Sequence, residues 1–347
     1  MSEVSSQLEI PEIASYLKSR IEGFGTLNDI EKFSGGQSNP TYLLTTQEKQ
    51  YVLRAQPPGE LLKSAHQVDR EFKVMQALEH TEVPVPKMYH LAEDDSPIGR
   101  KFFVMEYLQG RILWDPALSE LPKDANSERR EIYDSMNAAL AALHEVQPEH
   151  IGLENFGVPG NYFARQLSRW TKQYHASEID KVQDMHDLIA YLEAEMPDDD
   201  GQVSLVHGDY RLDNMVFANE SAEILGILDW ELSTLGHPLA DLAYQCMQWR
   251  LPNAGSFRGL AGVDRSSLGL PTEKEYVAAY CQRRNIKEIE NWHFYVAFSF
   301  FRLGAILQGV YKRSLDGNAS NPEKAKLYGA AVPVLANMAM DMVRNGE

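Results

Sequence analysis

The sequence predicts a bilobal α+β chain, with a small antiparallel-sheet lobe at the N-terminal end and a large, mainly helical lobe after it. Three observations carry this expectation. The first third breaks into short segments rich in aromatic and β-branched residues, separated by Gly, Pro and Asn. Beyond Gly110 the apolar residues recur at helical spacing over long stretches. A length of 347 residues suits two lobes rather than one and supplies enough apolar surface for a substantial core.

Taken in order, the chain opens on a helix with Ile10, Ile13, Leu17 and Ile21 on one face. Strands are expected at 29–33, 42–46, 51–54 and 102–107. A helix at 65–78 interrupts them, carrying Val68, Phe72, Met75 and Leu78 at helical spacing, and Val83-Pro84-Val85-Pro86 then enforces an extended exit. After Gly110, helices are expected at 128–143, 162–175, 181–195, 239–249, 273–284, 292–311 and 324–343. Between them, short apolar runs at 203–206, 215–218 and 224–228 read as strands with polar residues at their ends. The lobes are therefore placed at 1–105 and 112–347, with a hinge at 106–111 and a ligand cleft expected between them. The longest apolar stretch, 294–310, contains Arg302 and Gln308, so a buried helix is expected rather than a membrane span.

With 33 Lys and Arg against 50 Asp and Glu, the chain carries a formal charge of −17. Nucleic-acid binding is excluded as a general role, because each phosphate contact calls for a cation. The acidity is uneven: residues 111–301 carry −14 and residues 302–347 carry +2. Two cysteines, Cys246 and Cys281, provide neither a disulfide framework nor a cysteine metal cluster. Glu3, Glu9 and Glu12, with no apolar core run among the first residues, argue against a secretory or Arg-rich leader. The expectation is a cytoplasmic protein without membrane insertion.

The segment His207-Gly208-Asp209-Tyr210-Arg211-Leu212-Asp213-Asn214 lies between two expected strands and is followed after a turn by Leu228-Asp229-Trp230-Glu231. It matches the kinase catalytic-loop pattern H-x-D-x-x-x-x-N with a later metal-binding Asp. Phosphoryl transfer needs a carboxylate to accept the proton of the attacking hydroxyl, and Asp209 can present one. Mg²⁺ prefers hard oxygen ligands, which Asn214 and Asp229 offer. Arg211 can meet charge on the transferred group.

A second segment, Ser34-Gly35-Gly36-Gln37-Ser38-Asn39, forms a Gly/Ser loop able to lay backbone N–H groups over phosphates. It precedes a strand ending in Arg54 and a helix bearing Glu71, the order of a kinase ATP-binding lobe. Arg54 stands where a lysine is usual, keeping the charge but changing its geometry. Glu106, Tyr107 and Leu108, at the lobe junction, could offer backbone groups to adenine. Asp241 could brace the catalytic loop or compensate a helix N-terminus. Arg302, Lys312 and Arg313 could line the substrate side or form a solvated helix end.

On these motifs, from Phe33 to about Val343, the chain resembles the aminoglycoside phosphotransferase and choline kinase-like family. The stretch Tyr51-Val52-Leu53-Arg54-Ala55-Gln56-Pro57-Pro58-Gly59 resembles the branch of kinase-like domains associated with acyl-CoA dehydrogenases. The resemblance implies a protein-kinase-like fold, ATP with Mg²⁺, and phosphorylation of a hydroxyl on a small molecule. It assigns Asp209 as base, Asn214 and Asp229 as metal ligands, and Arg54, Glu71 and the 34–39 loop as phosphate-handling groups. Trp230-Glu231 replaces Phe-Gly after the metal Asp, which disfavours a protein substrate. A hydroxyacyl compound or its CoA thioester is the leading expectation. An aminoglycoside phosphotransferase and a nucleotide-binding regulatory module without turnover are the alternatives.

Overall fold

The structure is a computed structural model describing residues 10–33, 39–59, 66–93, 96–254, 257–317 and 322–346. In chain order the first elements are α1 (Ile10–Lys18), β1 (Leu27–Lys32), β2 (Thr41–Thr46), β3 (Gln50–Ala55), α2 (Val68–Leu78), β4 (Met88–Ala92) and β5 (Phe102–Glu106). There follow α3 (Asn126–Glu145), α4 (Tyr162–Ser177), α5 (Gln183–Ala194), β6 (Ser204–Val206), β7 (Met215–Phe217), β8 (Ile224–Ile227) and β9 (Thr234–Gly236). The last are α6 (Leu239–Cys246), β10 (Asn253–Ala254), β11 (Phe257–Arg258), α7 (Arg265–Leu268), α8 (Glu273–Arg283), α9 (Trp292–Leu315) and α10 (Pro322–Asn345). They form two compact units. One comprises Met1–Ile112, Ile151–Leu153 and Asn214–Ser233; the other comprises Leu113–His150, Glu154–Asp213 and Thr234–Glu347. The expected α+β class, with a small antiparallel sheet and a larger helical part, is what the chain adopts.

The first unit is built on a five-stranded antiparallel sheet in the order β1-β2-β3-β5-β4. Strand side chains alternate between faces, so Tyr42, Leu44, Tyr51, Leu53, Ala55, Phe102 and Val104 join one core. Ile13, Leu17, Ile21 and Phe24 close that core from α1 and the turn after it. Burial of each such side chain contributes roughly 1.5–3 kcal/mol, which is why a helix of nine residues stays docked. The opposite face holds Arg54 and Phe103, set directly across from each other by the β3–β5 register. Helix α2 covers it, with Phe72 6.3 Å from Phe103 between ring centroids.

The β7–β8 hairpin belongs to this unit although it lies a hundred residues further along. Arg111 and Phe217 exchange two backbone hydrogen bonds of 2.8 and 2.9 Å, and the Ile227 amide donates to the Pro84 carbonyl at 2.9 Å. Gly110 makes this possible: a Cβ there would sit 2.2 Å from the Phe217 carbonyl oxygen.

In the second unit α9 is central, packing on α10, α4, α6 and α5. It is long and apolar enough to cross a membrane, yet 72% of its apolar window is buried inside the protein. Its Phe294, Tyr295 and Phe298 surround Phe163 of α4 at 5.0–5.7 Å between ring centroids. Its apolarity is thus that of a core helix, as the sequence suggested. Four strands went unforeseen: β4, which directly follows the Pro-rich exit, β9, three residues ending in Gly236, and the two-residue strands β10 and β11. The helix expected at 239–249 ends at Cys246 and continues as a 3₁₀ turn, Met247–Trp249.

Candidate active site

The second unit contributes the loop after β6. Gly208 adopts a φ of +85°, a conformation costly for any residue with a Cβ, and this lets the chain turn sharply ahead of Asp209. The turn is held through its backbone. Asp241, fully buried at the start of α6, accepts from the His207 amide at 2.6 Å and the Gly208 amide at 2.8 Å. On the carbonyl side, Arg302 of α9 donates to the Gly208 oxygen at 2.8 Å. Asp241 therefore braces the loop directly, the first of the two roles its position suggested.

Burial alone would raise the Asp241 carboxyl; the His144 imidazole 3.5 Å away, His207 and the Gly208 amide outweigh it and hold it below its ordinary range. His144 is in turn pushed down by burial, against the pull of Asp241, and its Nδ1 lies 2.7 Å from the Tyr280 hydroxyl. The Asp209 carboxylate is oriented by Tyr244, whose hydroxyl donates to Oδ1 at 2.7 Å. Tyr244 escaped the sequence reading. Its signal was spacing: it lies three residues after Asp241 on one helix, so both face the loop. Arg211 donates to Asp213 through Nε at 2.7 Å and through Nη2, and the Asp209 and Asp213 carboxylates favour its charged form.

The first unit carries a charge cluster of its own. Arg54 at the end of β3 points its Nε at Glu71 Oε2, 3.0 Å away, and its Nη2 at Asp229 Oδ1, 2.6 Å away. Asn39 donates to Glu71 Oε1 at 3.0 Å and meets His66 Nδ1 at 2.9 Å through its own Oδ1. Glu71 is 1% exposed. Burial pushes its carboxyl up to about 7; Arg54 opposes this, while Asp229 and Glu231 add to it. Asp229 follows β8 with a φ of +66°, unusual for a residue with a side chain and a feature that clusters at functional sites. Asn214 lies beside it because its carbonyl accepts from the Leu228 amide at 2.8 Å, extending the β7–β8 pairing by one residue.

This donor set suits a divalent cation. The carboxylates of Glu71, Asp229 and Glu231 act together on the one guanidinium of Arg54, and the negative charge of Asp229 and Glu231 adds to the rise that burial gives Glu71. Asp229 and Asn214 add the hard oxygen atoms that Mg²⁺ prefers.

Of the remaining expected residues, Ser34, Gly35, Gly36, Gln37 and Ser38 lie outside the described residues, and Asn39 is placed against Glu71 as given. Glu106 ends β5 and accepts the Lys87 amide on Oε2 at 3.2 Å, and the Leu108 carbonyl accepts from Gly110 at 3.1 Å. Arg302 is a correction to one sequence alternative. It is buried at 6% exposure on the Gly208 carbonyl and over the Tyr244 ring, so it supports the loop rather than standing at a solvated helix end. Lys312 pairs with Asp316 one turn on.

The comparisons agree with these motifs. Residues 29–276 match the family model described as the phosphotransferase enzyme family. Mouse acyl-CoA dehydrogenase family member 10 is 45% identical over 97% of this chain and 32% of its own length. Rat acyl-CoA dehydrogenase family member 11 is 39% identical over 97% of this chain and 44% of its own length. The chain thus spans about a third to under half the length of these curated relatives. A crystal structure from Ralstonia eutropha, provisionally named an aminoglycoside phosphotransferase, is 44% identical, covers 98% of this chain and 99% of its own, and superposes with a TM-score of 0.87. ATP- and Mg²⁺-dependent phosphoryl transfer is the chemistry such kinship brings. The chain belongs to the phosphotransferase enzyme family and is homologous to the kinase-like part of acyl-CoA dehydrogenase family members 10 and 11.

Proposed function

We propose that the chain is a small-molecule kinase transferring the γ-phosphate of ATP to a substrate hydroxyl. The observation that carries this is the 207–214 loop, where Asp209 sits on a backbone pinned by Asp241 and Arg302 with its carboxylate oriented by Tyr244. A carboxylate held this way has little freedom left to lose at the moment of reaction. Asp209 accepts the proton of the attacking hydroxyl. Arg54 takes a nucleotide phosphate oxygen, and Glu71 and Asn39 fix the direction in which its guanidinium points. Arg211 reaches the transferred group by exchanging Asp213 for it. Backbone groups of Glu106, Tyr107 and Leu108 receive the adenine. Asn214 and Asp229 would hold Mg²⁺, which when bound neutralises charge on the phosphate oxygens.

The acceptor we favour is a hydroxyacyl compound or its CoA thioester, because the curated relatives carry acyl-CoA dehydrogenase names. A second reading, an aminoglycoside acceptor, is supported by the provisional name of the Ralstonia protein and by the acidic stretch 178–200. A third, nucleotide binding without turnover, draws on Arg54 in the lysine position. One experiment separates them: Mg-ATP turnover against hydroxyacyl-CoAs, free hydroxy acids, aminoglycosides and choline, with Asp209→Asn as control. Turnover is expected on a hydroxyacyl substrate and should fall about 10²–10⁴-fold in Asp209→Asn. Equal product from both proteins removes the base assignment. Selective turnover of aminoglycosides refutes the acyl acceptor, and ATP binding with no turnover on any acceptor favours the third reading.

A further inference from the structure

Away from the loop and the charge cluster, the junction of α4 and α5 carries three side chains that phosphoryl transfer does not use. Helix α4 ends at Ser177, and the Glu178 amide caps it by donating to the His175 carbonyl at 3.4 Å. One turn of separation puts the His175 and Glu178 side chains together, with Nδ1 3.9 Å from Oε2. The chain then turns into α5, whose first turn swings His186 back until its Nε2 lies 2.6 Å from Glu178 Oε1. The two imidazole rings are 5.4 Å apart between centroids. One ligand atom from each of the three residues lies within 4.8 Å of the other two.

A simple ion pair would need one imidazole against one carboxylate. Here two imidazoles from different helices converge on a single carboxylate that already has a partner. Two nitrogens and an oxygen are the donor set of a borderline cation such as Zn²⁺, whose sites often combine three protein ligands with a water. Ligand bonds of about 2.0–2.2 Å to a tetrahedral ion set ligand atoms about 3.3 Å apart. The 2.6 Å contact must open slightly and the 3.9 Å contact close slightly, within reach of side-chain rotation. An outer partner is present as well: the buried Tyr174 donates its hydroxyl to Glu178 Oε1 at 3.4 Å, helping to orient the carboxylate. Half of His175 is open to solvent, at 46% side-chain exposure, which gives an ion a way in.

We propose that His175, Glu178 and His186 form a binding site for a divalent transition-metal ion of the zinc type, clipping the end of α4 to the start of α5. The site is chemically distinct from Asn214 and Asp229, since Mg²⁺ takes oxygen ligands and imidazole suits Zn²⁺, Co²⁺ and Ni²⁺. It does not depend on the acceptor that the kinase uses.

The test uses the full chain, stripped with EDTA and desalted, then titrated with Zn²⁺ against a chromophoric chelator in saturating Mg²⁺ and ATP. One Zn²⁺ per chain is expected, with binding at least about 10-fold weaker in Glu178→Gln and in His175→Ala. His175 is exposed, so that variant should keep its fold. Co²⁺ should give visible d–d absorption in the native chain that disappears in the His175→Ala/His186→Ala double variant. Zn²⁺ should also raise the Tm of the native chain and not that of the double variant. Equal stoichiometry and affinity in the native chain and the double variant would overturn the proposal, as would the absence of any Zn²⁺ binding by the native chain.

Discussion

In the second unit the loop after β6 is held through its backbone: two amides end on Asp241 and one carbonyl on Arg302, all buried. In the first unit Arg54, Glu71 and Asp229 are held through side-chain charge, with Asp229 partly open to solvent. The first arrangement needs no ligand to complete it and presents Asp209 already oriented. The second pairs Arg54 with the carboxylate that we assign to metal, so binding Mg²⁺ and a phosphate requires Arg54 and Asp229 to take new partners. A general base gains from rigidity, whereas a site that must admit and release a charged ligand gains from contacts that can be exchanged. The two groups also carry opposite shifts: Asp241 is held down and Glu71 is pushed up.

The contrast breaks most readily at Asp241. Asp241→Ala leaves two buried amides without an acceptor, and we expect a loss of roughly 3–5 kcal/mol of folding stability, read from urea unfolding. A change below about 1 kcal/mol would show that the loop is not held this way.

The opposite shifts give a pH test of intermediate size. Glu71 binds its proton more tightly in the folded chain, so its contribution to stability is present below its ordinary value of 4.5 and is lost as pH rises toward about 7. In the presence of EDTA, the native chain should lose stability across that window relative to Glu71→Gln. Asp241 contributes in the other sense, with stability lost only as pH falls below its ordinary 3.8. Parallel stability profiles for the native chain and Glu71→Gln between pH 4.5 and 7 would count against the charge cluster as described.

The smallest effect is at Tyr244. Tyr244→Phe removes one hydrogen bond to the Asp209 carboxylate and keeps the ring, so kcat should fall about 10-fold with the KM for ATP unchanged. An unchanged kcat in steady-state kinetics would mean that Asp209 is oriented by other contacts.

Much of this was legible in the residues. The spacing of His207, Asp209, Asn214 and Asp229 marked the chemistry, and helical spacing found α1 before any packing was known. Local pattern carries these because each is a matter of a few neighbouring residues. Arg302, 94 residues from Gly208, has no such pattern, and the spacing of Tyr244 from Asp241 does not name Asp209, 35 residues away, since a polar residue on an apolar helix reads the same whether it braces a loop or faces water. Strand β4 was missed because the Pro-rich stretch before it masks its start, β9 because Thr234-Leu235-Gly236 holds a single apolar residue, and β10 and β11 because two residues each are too few for a period.

By itself, then, the sequence determined the element types, the α+β class and which residues could do phosphoryl chemistry, because these follow from spacing and side-chain chemistry. Only the tertiary structure decided that Asn214–Ser233 belongs to the N-terminal unit, that Asp241 and Arg302 hold the loop from either side, and that Arg54 rests on Asp229. Those are choices among distant partners, made by burial and by the need to satisfy every buried charge and backbone group.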